Sequence, residues 1–342
     1  MKYLVFIILF AQAFYSRSQQ VELIKKFKTG SYIYSSPLLT QNNTIVFAGH
    51  DKSVYFFNDK GELINKHKTK GWIHSSPEQL SDGSIVVGSY DKHIYIFNEK
   101  GEFLKKIKPG GRVFSKVLEL PNRTIVFGSN KKGLIFYNLE TDSSYAFKTK
   151  RLPHTDLSLT KDGNILTGSL GKYVYSVNIK AEEVNKFKTK AWVLHSKPTV
   201  LNNGNILVGS YDKNLYLLDN SLKEIKRFKT KGKIHGSPLV LSDKSIIIGD
   251  FKGYVYFLTE NLEQQYLFKT DDKVVASPVL LSDGTVVICS NDDYVYFLSP
   301  KADLITKYKL GAGIFSTPIV LADNTVVVGS NDKNIYFLKL RK

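Results

Sequence analysis

The sequence contains one cysteine, one methionine and two tryptophans in 342 residues. The single cysteine, Cys289, excludes an intramolecular disulfide framework and a cluster of several thiolates around one metal ion. Acidic residues are fewer than basic ones: the chain has 31 aspartates and glutamates and 48 lysines and arginines, which gives a formal charge of +17. No stretch repeats apolar residues with the 3.6-residue period of an amphipathic helix, so the sequence predicts a protein without helices.

One apolar run stands apart at the N-terminus. Lys2 precedes apolar residues 3–14, which Gln12 alone interrupts. The run is too short to span a bilayer, and the nearby patterns 11–13 (Ala-Gln-Ala) and 16–18 (Ser-Arg-Ser) suit cleavage, so we predict a secretory signal over residues 1–18. The alternative is a buried first strand. We expect residues 19–342 to be exported, periplasmic or secreted, with no transmembrane segment and, since no cysteine lies near the cleavage region, no lipid anchor.

A three-residue phrase, Phe-Lys-Thr in its commonest form, recurs eight times at intervals of 40 or 41 residues. Its third residues are Thr29, Thr69, Pro109, Thr149, Thr189, Thr230, Thr270 and Leu310. Each unit holds four apolar stretches separated by polar turns such as 81–83 (Ser-Asp-Gly), where Asp-Gly supplies the positive φ of a hairpin. Four strands per 40 residues are typical of a propeller blade. We predict an all-β fold, an eight-bladed β-propeller with four antiparallel strands per blade.

The two ends of the repeat array complement each other. The chain after the predicted signal opens with a lone fourth strand, residues 21–28, and closes with three strands, residues 315–340. Joining them completes the eighth blade, because the N-terminal strand supplies the missing edge. We therefore predict a single closed domain over residues 19–342, and we expect a monomer.

The segment IVVGSYDKHIYIFNEKGE, residues 85–102, resembles the PQQ-like propeller repeat, and the Phe-Lys-Thr phrase is similar to the end of the same repeat. In that family the repeat occurs in quinoprotein alcohol dehydrogenases and in non-catalytic members, such as the propeller subunit that helps assemble outer-membrane barrels. The family usually has tryptophan two residues before the phenylalanine of the final strand. Here those positions hold Lys25, Asn65, Lys105, Tyr145, Asn185, Lys226, Tyr266 and Thr306.

The resemblance implies a fold that hosts both enzymes and binding proteins. The dehydrogenases also carry a vicinal cysteine pair and a Ca²⁺ site beside the quinone, and this chain has one cysteine and no matching oxygen cluster. We therefore expect a non-catalytic scaffold without a cofactor that binds a protein or an anionic envelope polymer, and no nucleic acid. Two alternatives stay open, a PQQ-dependent quinoprotein oxidoreductase and a lectin-like binder of anionic polysaccharide.

Aromatic, imidazole and cationic side chains gather at two positions of the repeat, near the start of each first strand. The first column is Tyr34, His74, Phe114, His154, His195, His235, Val275 and Phe315. The second, two residues earlier, is Tyr32, Trp72, Arg112, Leu152, Val193, Lys233, Lys273 and Gly313, with Trp192 beside Val193, where the fifth unit has one extra residue. Equivalent repeat positions share one height and radius, so we predict a ligand-binding mouth of the central shaft. Its residues are Tyr32, Tyr34, Trp72, His74, Arg112, Phe114, His154, Trp192, His195, Lys233, His235, Lys273 and Phe315.

The first column also admits a packing role and a metal-binding role. It could need flat side chains for packing alone, so that histidine and tyrosine interchange with phenylalanine. Alternatively, His154, His195 and His235 could bind a metal, since imidazole suits Zn²⁺ or Cu²⁺.

Three further features suit structural roles. Lysines crowd the predicted fourth strands, for example Lys186 and Lys188, where they prevent pairing between sheet edges; the alternative is a basic belt that attracts anionic polymers or membranes. Turns such as 90–92 (Tyr-Asp-Lys) suit aspartates that cap their own backbone rather than cation sites. Cys289 stands where other second strands carry glycine, so we expect it to pack rather than to react.

Overall fold

The computed structural model describes residues 20–341, and the predicted signal over residues 1–18 lies outside them. Thirty-two strands form eight four-stranded antiparallel sheets around a central shaft, which confirms the eight-bladed β-propeller. Among these residues a single 3₁₀ turn, Pro121–Arg123, interrupts the strands. Within the described range, no helix combines the length and the apolar character that crossing a bilayer requires.

Each blade runs from an innermost strand beside the shaft to an outer edge strand. The innermost strands are β2 (Leu38–Leu39), β6 (Glu78–Gln79), β10 (Leu118–Leu120), β14 (Ser158–Leu159), β18 (Thr199–Val200), β22 (Leu239–Val240), β26 (Val279–Leu280) and β30 (Ile319–Val320). The second strands are β3 (Ile45–Ala48), β7 (Ile85–Gly88), β11 (Thr124–Ser129), β15 (Ile165–Gly168), β19 (Ile206–Gly209), β23 (Ile246–Gly249), β27 (Val286–Cys289) and β31 (Thr325–Gly329). Nearly every residue of the second strands is buried, since both of their faces pack against neighbouring blades.

The third and fourth strands complete the blades. The third strands are β4 (Ser53–Phe57), β8 (Ile94–Phe97), β12 (Gly133–Asn138), β16 (Tyr173–Val177), β20 (Asn214–Leu218), β24 (Tyr254–Leu258), β28 (Tyr294–Leu298) and β32 (Asn334–Arg341). The outer strands are β1 (Gln20–Lys28), β5 (Leu63–Lys68), β9 (Phe103–Ile107), β13 (Ser144–Phe147), β17 (Glu183–Lys188), β21 (Glu224–Lys229), β25 (Gln264–Lys269) and β29 (Leu304–Lys309).

The ring closes by strand exchange, as the sequence predicted. Strand β1 pairs antiparallel with β32, in a register that runs from Lys28 opposite Asn334 to Gln20 opposite Arg341. Blades 8 and 1 then share a hydrophobic core in which Ile33 and Phe57 pack with Phe337. The N-terminal strand therefore ties both ends of the described chain into one sheet.

The Phe-Lys-Thr phrase recurs because its phenylalanine and its threonine connect neighbouring blades. Phe187 meets Tyr216 of the next blade edge to face, with ring centroids 5.0 Å apart. Lys188, which lies between Phe187 and Thr189 in the phrase, is exposed. The buried Thr189 hydroxyl bonds the carbonyls of Lys172 at 3.1 Å and Ala191 at 2.6 Å, which holds the turn into the next blade. The phrase thus joins one outer strand to the following blade.

The outer strands carry two features that protect an edge from pairing with another chain. In seven of the eight blades the pairing of the outer strand contains a register shift or bulge near its start. Their lysines are largely exposed, and some lie over rings of the third strand, as Lys66 does over Tyr55 at 4.8 Å. Bulges and edge lysines both discourage sheet-to-sheet association, which favours a structural role for the basic strands.

The aspartate turns serve the fold in the way that the sequence predicted. Asp212 accepts hydrogen bonds from the Asn214 amide at 3.1 Å and from the Tyr216 hydroxyl at 2.8 Å. It also accepts the Lys190 amide of the preceding joint at 2.8 Å. The recurrent tyrosine of the third strand therefore ties its own turn to the neighbouring blade.

Candidate functional site

All eight side chains of the first column line one cavity of about 210 Å³ at one end of the shaft, which we call the shaft mouth. They are Tyr34, His74, Phe114, His154, His195, His235, Val275 and Phe315. The same repeat position in successive blades thus reaches a common height and radius, as the register predicted. Their role in ligand binding stays a prediction.

The four histidines of the column form one cluster from blades 2, 4, 5 and 6, and Phe114 of blade 3 lies beside it. The ring centroids of His154 and His195 are 4.5 Å apart, and those of His195 and His235 are 4.3 Å apart. His74 reaches across the shaft to His195 at 5.3 Å. Blades 7, 8 and 1 complete the annulus with Val275, Phe315 and Tyr34, so the shaft mouth has an imidazole-rich side and a more apolar side.

Burial keeps these imidazoles neutral at pH 7. Desolvation, with smaller contributions from the neighbouring histidines, lowers the pKa of His74 to about 3. Desolvation also lowers the pKa of His235 to about 4 and that of His195 well below its ordinary value. A neutral imidazole has one donor and one acceptor nitrogen, so the cluster offers hydrogen bonds of both kinds without a net charge.

The aromatic side chains and most cationic side chains of the second column, with Trp192, are exposed and form a rim beside the shaft mouth. Its aromatic members keep large exposed fractions, 44% for Tyr32, 52% for Trp72 and 43% for Trp192. The cationic members Arg112, Lys233 and Lys273 lie over the rings of Tyr90, Tyr211 and Phe315, at 5.5, 5.3 and 6.0 Å. The rim is therefore both aromatic and basic, as the sequence predicted.

The structure corrects the alignment of the fifth unit. The Trp192 carbonyl accepts the Tyr211 amide at 2.9 Å, just as the Trp72 carbonyl accepts the Tyr90 amide, so Trp192 rather than Val193 occupies the rim column. Val193 is fully buried. The extra residue is absorbed later, where His195 adopts a positive φ of 62°. In this way the histidine still reaches the shaft.

A third set of residues was missed by the sequence analysis. In every blade, the turn that follows the second strand places one side chain behind the rim. Four of the residues at this position are His50, Tyr90, Tyr211 and Phe251. His50 stacks on Trp72 with centroids 5.5 Å apart and planes 6° apart, and Tyr211 contacts Phe251 at 5.4 Å. All four residues adjoin the aspartate of that turn, and this shared position could have identified them from the sequence. The sequence analysis explained the turn only by the hydrogen bonds of its aspartate to the backbone.

The shaft mouth does not suit the metal or the quinone alternative. Among residues 20–341, no group of three or more histidine, cysteine, aspartate or glutamate side chains is arranged to hold a metal ion, which argues against His154, His195 and His235 as ligands. An anionic quinone would meet neutral imidazoles and the carboxylate of Asp156, which lines the same cavity. We therefore assign no step to such a cofactor.

Cys289 is fully buried at the end of β27, and burial raises the pKa of its thiol. A protonated thiol without access to solvent is a poor nucleophile. Its location agrees with the packing role expected from the sequence.

Many solved structures resemble this chain in fold, and three of them illustrate the likeness. One is BamB from Moraxella catarrhalis, with 13% identity, a TM-score of 0.76, and coverage of 94% of this chain and 98% of that one. Another is the computationally designed Ika8 protein, with 13% identity, a TM-score of 0.77, and coverage of 92% and 98%. A third is the WD40 β-propeller domain of Doa1, with 17% identity, a TM-score of 0.65, and coverage of 95% and 98%.

No protein-family model matches the chain, and no curated protein matches it either. At such low identities the structural likeness establishes the fold and no activity.

Proposed function

We propose that this protein is a non-catalytic binding scaffold that docks a partner protein or polymer on the face carrying the shaft mouth. The observation that carries the proposal is the rim, where Tyr32, Trp72 and Trp192 remain exposed on one face beside Arg112 and Lys233. Exposed aromatic and arginine side chains clustered around a concavity are typical of recognition surfaces.

The rest of the described chain supports binding rather than catalysis. Asp212 and its equivalents are engaged by tyrosine hydroxyls and backbone amides, and Cys289 is buried. The short joints between strands add no catalytic loop over the shaft.

A capture experiment with matched variants tests the proposal. The exported chain is immobilised and exposed to an envelope extract of the source cells, and the bound material is compared between variants. The double variant Trp72→Ala and Trp192→Ala should lose the captured partner. The control is Ile225→Ala with Tyr266→Ala, which removes equally exposed apolar side chains from outer strands. Equal loss in both variants, or loss in neither, would contradict docking at the mouth.

A second variant separates binding from packing in the first column. His154, His195 and His235 are replaced together by phenylalanine, which blades 3 and 8 already carry at this position. A folded variant that no longer captures the partner supports a binding role, whereas a folded variant that captures it normally supports packing alone.

We also propose that residues 1–18 direct export to the periplasm or the medium. The basic and apolar start of the chain supports this, together with its small-residue cleavage patterns. Fusing residues 1–25 to a reporter that is active after export tests it, with Ile7→Lys and Leu9→Lys as the control that interrupts the apolar run. Retention of the unprocessed native fusion in the cytoplasm would contradict export.

A further inference from the structure

A belt of polar side chains lies below the histidines, two residues further along each blade. Five of its members are hydroxyl residues that line the cavity of the shaft mouth: Ser36, Ser76, Ser237, Ser277 and Thr317. Each hydroxyl oxygen accepts a backbone amide from the preceding blade. For example, the Ser237 amide bonds Ser277 Oγ at 2.8 Å, and the Ser277 amide bonds Thr317 Oγ1 at 3.0 Å.

This arrangement leaves the hydroxyl protons free. A serine or threonine hydroxyl has one proton to donate in addition to its acceptor capacity. Within residues 20–341, none of the five belt hydroxyls donates a hydrogen bond to the protein, although each accepts one. The belt therefore offers five O–H donors to whatever enters the shaft.

Blades 3 to 5 interrupt the belt with charged residues. Lys116 and Lys197 occupy belt positions, and their ammonium groups cannot accept a hydrogen bond. Asp156 occupies the belt position of the blade between them. Asp156 accepts the Lys116 amide through Oδ1 at 2.9 Å, and the Lys116 ammonium pairs with the carboxylate of Glu78. The Asp156 carboxylate thus adds a strong acceptor to the cavity, opposite the hydroxyl donors.

Unpaired polar atoms also surround the mouth. His154 Nδ1, His50 Nε2, Asn291 Oδ1 and Asn331 Oδ1 are buried without a hydrogen-bond partner in the described chain. Buried polar atoms in native proteins nearly always have a partner, from the protein, from water or from a ligand. Of these residues His154 lines the cavity, so its Nδ1 adds a hydrogen-bonding atom beside the donors of the belt.

The exposed rim adds aromatic surfaces above these polar levels. Trp72 stacks on His50 and Trp192 stands beside Tyr211 at 6.1 Å, and both lie outside the cavity lining. Three other aromatic residues, Tyr34, Phe114 and Phe315, line the cavity itself. The C–H face of a sugar ring packs well on such an aromatic face, while its hydroxyls seek both donors and acceptors. The cavity volume of about 210 Å³ is several times the ~30 Å³ share of one water molecule.

We propose that the shaft mouth binds the terminal sugar unit of a glycan, with the sugar packed against the aromatic rings that line the cavity and its hydroxyls bonded to the belt. The inference rests on the proposed binding function and names its ligand class. An inorganic anion would offer no hydrogen-bond donor to the Asp156 carboxylate inside the cavity, whereas a sugar hydroxyl supplies one. A peptide amino terminus would suit Asp156 but would leave the five O–H donors unpaired.

The experiment begins with a printed array of neutral and anionic oligosaccharides, probed with the folded exported chain. Saccharides that bind are then titrated in solution while tryptophan fluorescence is followed. Both tryptophans of the chain stand at the rim beside the cavity, so the signal reports changes next to the mouth. The expected result is saturable binding, with a fluorescence change that smaller sugars of the same terminal unit reproduce.

Matched variants locate the bound sugar. Thr317→Val removes a belt hydroxyl and should weaken binding about tenfold or more, because buried polar partners lose a hydrogen bond. Thr317→Ser keeps the hydroxyl and should bind as the native chain does. Ser277→Ala provides a second test in another blade, and Ser144→Ala on the outer strand β13 is the control. Melting temperatures show that each variant is folded.

Three outcomes would overturn the inference: an array without binding, binding that Thr317→Val and Ser277→Ala leave unchanged, or a competing peptide that displaces the sugar and needs Asp156 alone. The proposed function fails separately. If no sugar binds while the envelope partner is still lost on removing Trp72 and Trp192, the ligand class is wrong and the docking face stands.

Discussion

The rings of His195 and His235 stack 4.3 Å apart at the shaft mouth, and burial keeps both neutral at pH 7. The pKa of His235 falls to about 4 in the folded chain from an ordinary value of 6.5. The unfolded chain therefore binds more protons between these two values, and the free energy of unfolding must fall as pH drops through this window. The stabilisation is fully present above pH 6.5.

We expect the acid loss from His235 alone to reach roughly 3 kcal/mol at pH 4. Urea unfolding at pH 7, 5.5 and 4.5 measures it, in the native chain and in the double variant His74→Phe with His235→Phe. Carboxylates titrate in both proteins, so the difference in slope isolates the histidines. Identical pH slopes would show that these imidazoles are not buried neutral groups.

The hydroxyl of Tyr296 donates a hydrogen bond to Asp292 Oδ2 at 2.7 Å, and the Asp271 amide of the preceding joint bonds the same oxygen at 2.9 Å. Tyr296→Phe should lower the free energy of unfolding by about 1–2 kcal/mol, because a charge-assisted hydrogen bond is lost. Chemical denaturation measures the loss. Tyr294→Phe is the control, because that half-buried tyrosine meets lysines through its ring, and it should change stability by less than about 0.5 kcal/mol. Equal effects would refute a special role for the aspartate turn.

The repeated phrase gives a third prediction, about its threonine and its lysine. Thr189→Val removes the hydroxyl donor to the Ala191 carbonyl in a buried joint, while the Lys172 carbonyl keeps the Thr189 amide at 2.9 Å, and the variant should cost about 1–3 kcal/mol. Lys188→Ala, one residue earlier on the exposed edge, should be nearly neutral. Thermal unfolding of the two variants distinguishes them, and a larger loss for the lysine would mean that the basic strand stabilises the fold.

Ring closure gives the last prediction. A chain that begins at Gly30 lacks β1 and exposes the edge of β32 together with part of the core around Phe337. We expect it to aggregate or to melt at a much lower temperature than a chain that begins at Gln20, because a blade edge without its partner pairs with other chains. Light scattering and calorimetry measure both effects. Equal stability of the two chains would disprove closure by strand exchange.

The sequence alone determined the fold of this protein and the membership of the first column. The 40-residue period fixes which side chains are equivalent, and equivalence in a closed ring fixes a common height, so Tyr34 and His195 were placed at one mouth without coordinates. The split repeat likewise predicted that the two chain ends pair, because the lone N-terminal fourth strand can complete only the last blade, which lacks a fourth strand.

Other features were decided by the tertiary structure. The extra residue of the fifth unit was assigned to Trp192 and Val193, because spacing cannot show where a chain absorbs an insertion, whereas the positive φ of His195 does. The stacking of His50 on Trp72 joins a turn of one blade to the rim of the next, a contact that no local pattern encodes. The hydroxyl belt needed the structure most, since serine is common in every unit and only the inter-blade amide bonds reveal which hydroxyls face the shaft.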